Sequence, residues 1–223
     1  MNYDWDFFFV WKNLHVLWKG LIISVELTAI SIAIALPLGF IVAVLRLSKN
    51  FILSKSVAAF IEFFRCTPIL IQIIWIYFCL PMIMGVEISG FICGIIALTL
   101  NLTAFYAESY RSGIQAIARD QIDATIALGL SSFQRVVYVI MPQAIRIVIP
   151  VLLTNAVGIF QQSSLVSTVA IADLMYEGKV LATRYYRPLE VLTVVAIIYF
   201  IIAFPLTQLV RILEVKVAKK IER

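Results

Sequence analysis

ARDQIDATIALGLSSFQRVVYVIMPQAIRI, Ala118 to Ile147, is the stretch whose reading decides the fold, because it is neither a clean membrane span nor an ordinary loop. Asp120 is placed to cap a helix that carries Asp123 near its start, so two carboxylates stand where free N–H groups and the helix dipole favour negative charge. Gly129 stops that helix, since a glycine after an apolar run takes the left-handed conformation that closes a helix end. Ser131-x-x-Gln134 restarts one as a capping box, and Pro142 is expected to end it. Ile122, Ile126 and Leu130 fall on one stripe, with Asp123 and Ala127 on another. The expectation is two short amphipathic helices and a turn, a pattern that an ordinary surface helix also satisfies.

The rest of the chain sets that stretch in a membrane. Of 223 residues, 62% are hydrophobic and 14% charged, and the mean hydropathy is +1.00, values that exclude an ordinary soluble domain. The expected fold is an all-α integral membrane protein, a single transmembrane domain over 1–223 with about five spans of ~20 residues each. With the N-terminus outside, the inner segments hold thirteen basic residues: Arg46, Lys49, Lys55, Arg65, Arg111, Arg119, Arg135, Arg146, Arg211, Lys216, Lys219, Lys220 and Arg223. The outer segments hold five, Lys12, Lys19, Lys179, Arg184 and Arg187. That asymmetry follows the positive-inside rule, so the net charge of +5 marks topology and calls for no nucleic acid. Cys66, Cys79 and Cys93 are scattered in apolar surroundings, and His15 has no ligand or triad partner, so no metal site and no catalytic set is implied.

Residues 1–19 mix tryptophans and phenylalanines with sparse charges and lack the pattern of a signal peptide, which suits a segment lying at the outer interface. Spans are expected at 20–45, 56–80, 88–112, 143–160 and 189–210. Glu26 lies near the start of the first and is placed at the interface, the alternative being a face turned toward protein. Ile61-Glu62-Phe63-Phe64-Arg65-Cys66-Thr67-Pro68 opens the second, a charged flank and a proline bend. In the third, Glu108 and Arg111 are one helical turn apart and able to pair. Asn101-Leu102-Thr103 formally fits a glycosylation acceptor, but within a span it is set aside. The fourth ends in Asn155, Gln161, Gln162 and Ser163, either the onset of a loop or the lining of a polar passage. Gly178-Lys179 lacks the glycine and hydroxyl spacing of a P-loop, so any energised role needs a separate ATPase.

Gln121-Ile-Asp123-Ala124-Thr125-Ile-Ala127-Leu128-Gly129, followed by Met141-Pro142-Gln143-Ala144, resembles the EAA signature of ABC importer permeases, in the form found in the polar amino acid uptake family. Asp123 stands for the usual Glu and Thr125 for the second Ala, a bulkier residue for the same cleft. Arg65 and Pro68 match the FRGTP signature with Cys66 in place of glycine, and Glu108 and Arg111 match the AYxAExxRxGI-like run. Gln161-Gln162-Ser163-Ser164-Leu165 is a degenerate form of KDTSL that lacks both charges. The resemblance implies the type I ABC importer permease fold, with region 118–134 as a cytoplasmic coupling helix and Asp120, Asp123, Ala124, Ala127 and Gly129 in contact with the ATPase. It implies two ABC ATPase subunits holding ATP and Mg, no cofactor in this chain, a second permease subunit, identical or homologous, a periplasmic amino acid-binding protein and the lipid of the bacterial inner membrane. Asn155, Gln161, Gln162 and Ser163 are the expected substrate path. The run LLTNAVGIFQQSSLVS looks most like permeases for glutamate and aspartate, then glutamine. The rivals are a passive channel or secondary transporter, which has no need of the amphipathic helix at 120–129, and an intramembrane enzyme, for which no catalytic set is visible.

Overall fold

The structure, a computed structural model, describes residues 4–221, with side chains throughout except at 132, 133 and 218–221. The basic residues expected at 219, 220 and 223 lie outside the described side chains. The chain runs through α1 (Phe8–Lys12), α2 (Leu14–Arg46), α3 (Phe51–Cys66), α4 (Ile69–Met84), α5 (Gly90–Gln115), α6 (Arg119–Ala127), α7 (Ser132–Arg135), a π-helical turn (Val136–Ile140), α8 (Met141–Gln162), a 3-10 turn (Ser163–Val169), α9 (Leu174–Tyr185) and α10 (Pro188–Ile221). Among the described residues, four helical stretches are long and apolar enough to cross a membrane: 14–46, 90–115, 136–169 and 188–217.

The core is the contact between α2 and α5, and small residues permit it. Thr28, Ser31, Ala35, Gly39 and Ala43 recur along one buried stripe of α2, and α5 answers with Gly94, Ala97, Ala104 and Ala107; Gly20 and Ser24 carry the stripe on to Asp173 and Leu174 at the start of α9. Lipid gives helices no hydrophobic reason to associate, so close backbone approach through small side chains supplies the contact energy. At Gly39 a Cβ would lie 2.6 Å from the Tyr106 Cβ, a separation that only glycine avoids. Leu27, Leu98, Leu102 and Tyr106 fill the spaces on either side.

Three expectations are corrected here. The segment 56–80 is not one continuous helix, because α3 and α4 meet at 105°. Pro68 lacks an N–H and drives Thr67 into extended backbone (φ −98°, ψ 141°), so α3 ends at Cys66. The break is then held from inside: Gln72 Nε2 donates to the Phe64 carbonyl at 3.0 Å and the Thr67 carbonyl at 3.1 Å, and Asn101 Nδ2 to the Phe64 carbonyl and Gln72 Oε1, each at 3.1 Å. α3 is the amphipathic half, tied back to α2 where Arg46 Nη1 donates to Ser54 Oγ at 2.8 Å.

Second, Pro142 ends nothing. It sits in the first turn of α8, and the preceding π turn, in which the Met141 N–H bonds the Val136 carbonyl, carries the helix through. A proline is tolerated in a helix's first turn, so Pro142 opens α8, and the helix before it runs on into α8 through the π turn. Third, the helix of the first span begins at Leu14 rather than near 20, and Glu26, twelve residues along it, is exposed.

The N-terminal segment packs on the turn between α9 and α10. The Asp6 N–H donates to Glu190 Oε1 at 3.2 Å, Arg187 Nη1 bonds the Asp4 carbonyl at 2.9 Å, and the Phe9 and Tyr185 rings lie 4.5 Å apart. Glu190 is fully buried and also pairs with Arg187 at 3.0 Å. Phe8 and Trp11 point outward, 79% and 69% exposed, as aromatic residues at a membrane interface do.

Candidate functional site: an exposed helix below a polar cavity

Two features stand at the same end of the molecule, where α5 stops and α8 starts. The first is α6. Its N-cap is Ala118, with no side-chain cap, and the Gln121 and Ile122 N–H groups bond the Ala118 carbonyl at 3.1 and 3.4 Å. Asp120 is therefore not the cap; it lies in the first turn, where its charge faces the free N–H groups. The C-terminus closes as a Schellman turn: Gly129 has φ +73°, its N–H bonds the Ile126 carbonyl at 2.9 Å, and the Leu130 N–H reaches the Thr125 carbonyl at 3.1 Å. Ser131 and Gln134 then exchange the two bonds of a capping box, 2.9 Å from the Ser131 N–H to Gln134 Oε1 and 3.2 Å from the Gln134 N–H to Ser131 Oγ.

No other described helix packs along α6. Asp120, Asp123, Ala124, Ala127 and Gly129 are all exposed, and beside them Ile126 and Leu128 show 53% and 78% of their surface. Thr125 is the exception: it is buried, and its Oγ1 donates to the Ile122 carbonyl at 2.6 Å. The bulk it adds relative to alanine points into this chain, not toward a partner's cleft.

The second feature is a cavity of about 460 Å³ between the end of α3, the second half of α5 and the middle of α8. Arg65, Glu108, Ser109 and Asn155 give it polar walls, and Phe105 and Val151 apolar ones. The close fit of α5 on α8 beside it depends on Gly113, where a Cβ would lie 2.1 Å from Val148 Cγ2. Glu108 is held by Arg111, whose Nε donates to Oε2 at 2.8 Å and whose Nη2 pairs with Oε1. Arg65 lies over the Phe105 ring, 5.7 Å from its centroid, and faces no carboxylate in an ion pair among the described residues. Asn155 Nδ2 donates to Ser109 Oγ at 3.2 Å, bridging α8 to α5.

The four residues expected to form one path are thus separated. Asn155 lines the cavity; Gln161 and Gln162 are exposed about two turns further along α8. Ser163 is fully buried and spends its hydroxyl on the Phe160 carbonyl at 2.7 Å, which makes it a packing residue. The polar residues that line the cavity beside Asn155 are Arg65, Glu108 and Ser109, from α3 and α5. Charged or hydroxyl side chains flanked by apolar helix were the available signal, but nothing in the sequence joins them to Asn155.

One further polar residue, at the opposite end, is not among the candidate residues of the sequence. Asp173 is fully buried and caps α9, accepting from the Tyr176 N–H at 2.9 Å and facing the Tyr199 hydroxyl at 3.4 Å. Burial raises its pKa to about 6, against the lowering effect of those donors and of Lys179. The next residue is anchored too, its Leu174 N–H bonding Ser24 Oγ at 3.1 Å. Asp173 is followed by an apolar-periodic run, the ordinary signal of an N-cap.

An apolar helical bundle, a protruding short helix closed by a glycine and a polar cavity above it together describe a transport subunit that borrows its energy from a partner. The comparisons place it: residues 35–219 match the family of binding-protein-dependent transport system inner membrane components, and the chain belongs to that family as an amino acid ABC importer permease subunit of the bacterial inner membrane. It is not an enzyme, and the ATPase is a separate subunit. Among curated relatives, it is 29% identical to the glutamate/aspartate import permease protein GltK of Escherichia coli O157:H7, over 97% of this chain and 100% of that one. It is 32% identical to the probable amino-acid ABC transporter permease protein PatM of Vibrio harveyi, over 96% and 97%. Among solved structures, an amino acid ABC transporter with histidines superposes with a TM-score of 0.90 at 30% identity, covering 96% of this chain and 100% of that one. The MetNI methionine ABC transporter in an inward-facing form, at 22% identity and a TM-score of 0.65 over 92% and 97%, shares the fold.

Proposed function

We propose that this chain, as one transmembrane permease domain over 1–223, carries polar amino acids inward through the cavity of α3, α5 and α8, with glutamate and aspartate as first substrates and glutamine next. One observation carries the reading: the cavity sets the unpaired Arg65 guanidinium and the Arg111-bound Glu108 carboxylate in a single chamber with Asn155 and Ser109. A zwitterion leaving water needs a cation for its carboxylate and an acceptor for its ammonium. With Glu108 already neutralised by Arg111, Arg65 leaves the chamber favouring an additional negative charge over a positive one. Relatives similar to this chain are named for glutamate/aspartate and for glutamine, which supports both as candidates without ranking them.

On this reading α6 is the cytoplasmic coupling helix within region 118–134. Asp120, Asp123, Ala124, Ala127, Ile126 and Leu128 meet the cleft of an ATPase, and Gly129 sets the angle. Two ATPase subunits hold ATP and Mg, a second permease completes the passage, and a periplasmic binding protein delivers substrate to the end where α9 lies. Taking α4 as the crossing half of the bent pair gives five crossings, with the N-terminal segment outside and the C-terminus in the cytoplasm. The test is labelled glutamate uptake by the reconstituted complex, competed with aspartate, glutamine and arginine. Aspartate should compete most strongly and glutamine second; dominant inhibition by arginine overturns the assignment.

A further inference from the structure

Three span ends meet below the polar cavity: the end of α5, the first turns of α8 and the last turns of α10. They enclose a second cavity, of about 550 Å³. Its polar lining is Arg146 from α8, Lys216 from α10, Gln143 from α8 and Gln121 from α6, and no carboxylate lines it. Ile147 and Leu213 supply part of its apolar wall. Arg146 and Lys216 are exposed and take part in no ion pair among the described residues. Gln143 donates its Nε2 to the Val139 carbonyl at 3.1 Å, which fixes the side chain at the rim.

Two cations from different helices, brought to one concavity without a counter-charge, repel each other and are held there only by the fold. Such an arrangement gains free energy when an anion enters, and the gain is larger beside apolar walls than in open water. Its depth identifies the anion. Lys216 lies at the end of the membrane-crossing stretch 188–217, and Arg146, in the second turn of α8, lines the same cavity, which sets both at the level of that stretch's end, where headgroups lie. Basic pockets between helix ends on the cytoplasmic side fit anionic headgroups. Further along the same two helices, Leu153 and Val157 of α8 and Leu206 and Leu209 of α10 line an apolar cavity, on the course an acyl chain takes.

We propose that this cavity is a binding site for an anionic phospholipid, its phosphate between Arg146 and Lys216 with Gln121 and Gln143 completing the donors, and its acyl chain along Ile147 and Leu213. Because Gln121 belongs to α6, the lipid bridges the exposed helix to two spans. The site owes nothing to the transported amino acid and stands or falls separately from it.

The experiment is native mass spectrometry of the full chain purified in detergent with phosphatidylglycerol or phosphatidylcholine, for wild type, R146Q/K216Q and K49Q/K55Q. Wild type should retain phosphatidylglycerol over phosphatidylcholine, and R146Q/K216Q should lose that retention by roughly tenfold or more. K49Q/K55Q, which removes two exposed basic residues of α2–α3 at the same end, should retain it like wild type. Thermal unfolding of each variant checks that the chain is folded. Equal retention by R146Q/K216Q, or an equal loss in K49Q/K55Q, overturns the proposal. Displacement of the lipid by millimolar inorganic phosphate would make the occupant a soluble anion and overturn the lipid assignment.

Discussion

The α2–α5 contact and α6 are opposite solutions to the same constraint. Along α2 and α5 the backbones approach until only glycine, alanine and serine fit, and the inner amides of Gln72 and Asn101 spend their donors on the broken helix end beside them. α6 is fixed at its two ends by backbone turns, the Ala118 carbonyl at one and the Gly129 Schellman turn at the other, and no helix packs along its length. One region has two discrete faces locked together, and the other leaves its surface uncovered, as the coupling role proposed for it requires. A lever needs both: a stiff arm, and a knob whose own chain does not compete for the surface that takes the load. Substitutions in the two regions should therefore separate folding from coupling, and the consequences for folding rank as follows.

The largest loss belongs to Gly39→Val. A Cβ there meets the Tyr106 Cβ at 2.6 Å and the Ala107 N at 3.3 Å, atoms that move only with the backbone. The helices must separate, at a cost of ~3 kcal/mol or more. Little folded protein should be recovered in detergent, measured by size-exclusion profile and thermal unfolding. Wild-type behaviour would mean that α2 and α5 are not held face to face.

Next comes the pH dependence set by Asp173, in the connection between the 3-10 turn and α9. Its folded pKa of about 6 is raised above the ordinary 3.8, so the folded chain binds the proton more tightly than the unfolded one. The stabilisation is fully present below pH ~4, is lost as pH rises through about 6, and is level above that. A shift of this size is worth ~3 kcal/mol at most. Asp173→Asn keeps an N-capping oxygen and removes the charge, so thermal unfolding between pH 4 and 7 should flatten and stability at pH 7.5 should rise. An unchanged pH profile in the variant would assign the dependence to another group.

Asn101→Leu should follow, with a cost of ~2 kcal/mol. It leaves the Phe64 carbonyl with one donor instead of two and Gln72 Oε1 without its partner at a buried site. Thermal unfolding reads the loss. Asn101→Asp, which keeps the shape and removes the donor, should be no better than leucine.

Asn101 also marks where the sequence stopped being legible. The closing turn of α6, the capping box behind it and the apolar lengths of α2, α5, α8 and α10 rest on residues within a few positions of one another, and local chemistry decides them. The 105° break at Pro68 was visible only as a bend, because a proline bends or breaks a helix according to what takes up the freed carbonyls, here Gln72 and Asn101 across a gap of up to 37 residues. The first turn of α8 illustrates the same limit: Pro142 stops or starts a helix depending on the π turn ahead of it. The candidate site was legible residue by residue, Arg65, Glu108 and Asn155 each standing out as polar in an apolar setting, but its assembly was not. Gln161 and Ser163 were polar too, and the packing of α8 sent one outward and the other into the core.

The smallest effect on folding, and the sharpest on function, belongs to Gly129→Val. Nothing lies within 4 Å of the position a Cβ would take, so no packing is disturbed. The penalty is conformational: φ is +73°, and a β-branched residue in the left-handed region costs ~1 kcal/mol or more. That cost need not be borne by the fold, because no helix packs along α6 and the turn can reopen without moving a span. Unfolding temperature should shift little, whereas α6 should lose its angle to the bundle. ATPase association, transport-stimulated ATP hydrolysis and uptake should then fall together. Gly129→Asn supplies the control, since asparagine tolerates the left-handed conformation and should restore most of the coupling, with Gly129→Ala between the two. If the valine variant associated and transported like wild type, α6 would not be the contact through which the ATPase drives this chain. If it lost thermal stability as heavily as Gly39→Val, the exposed helix would be part of the folding core after all.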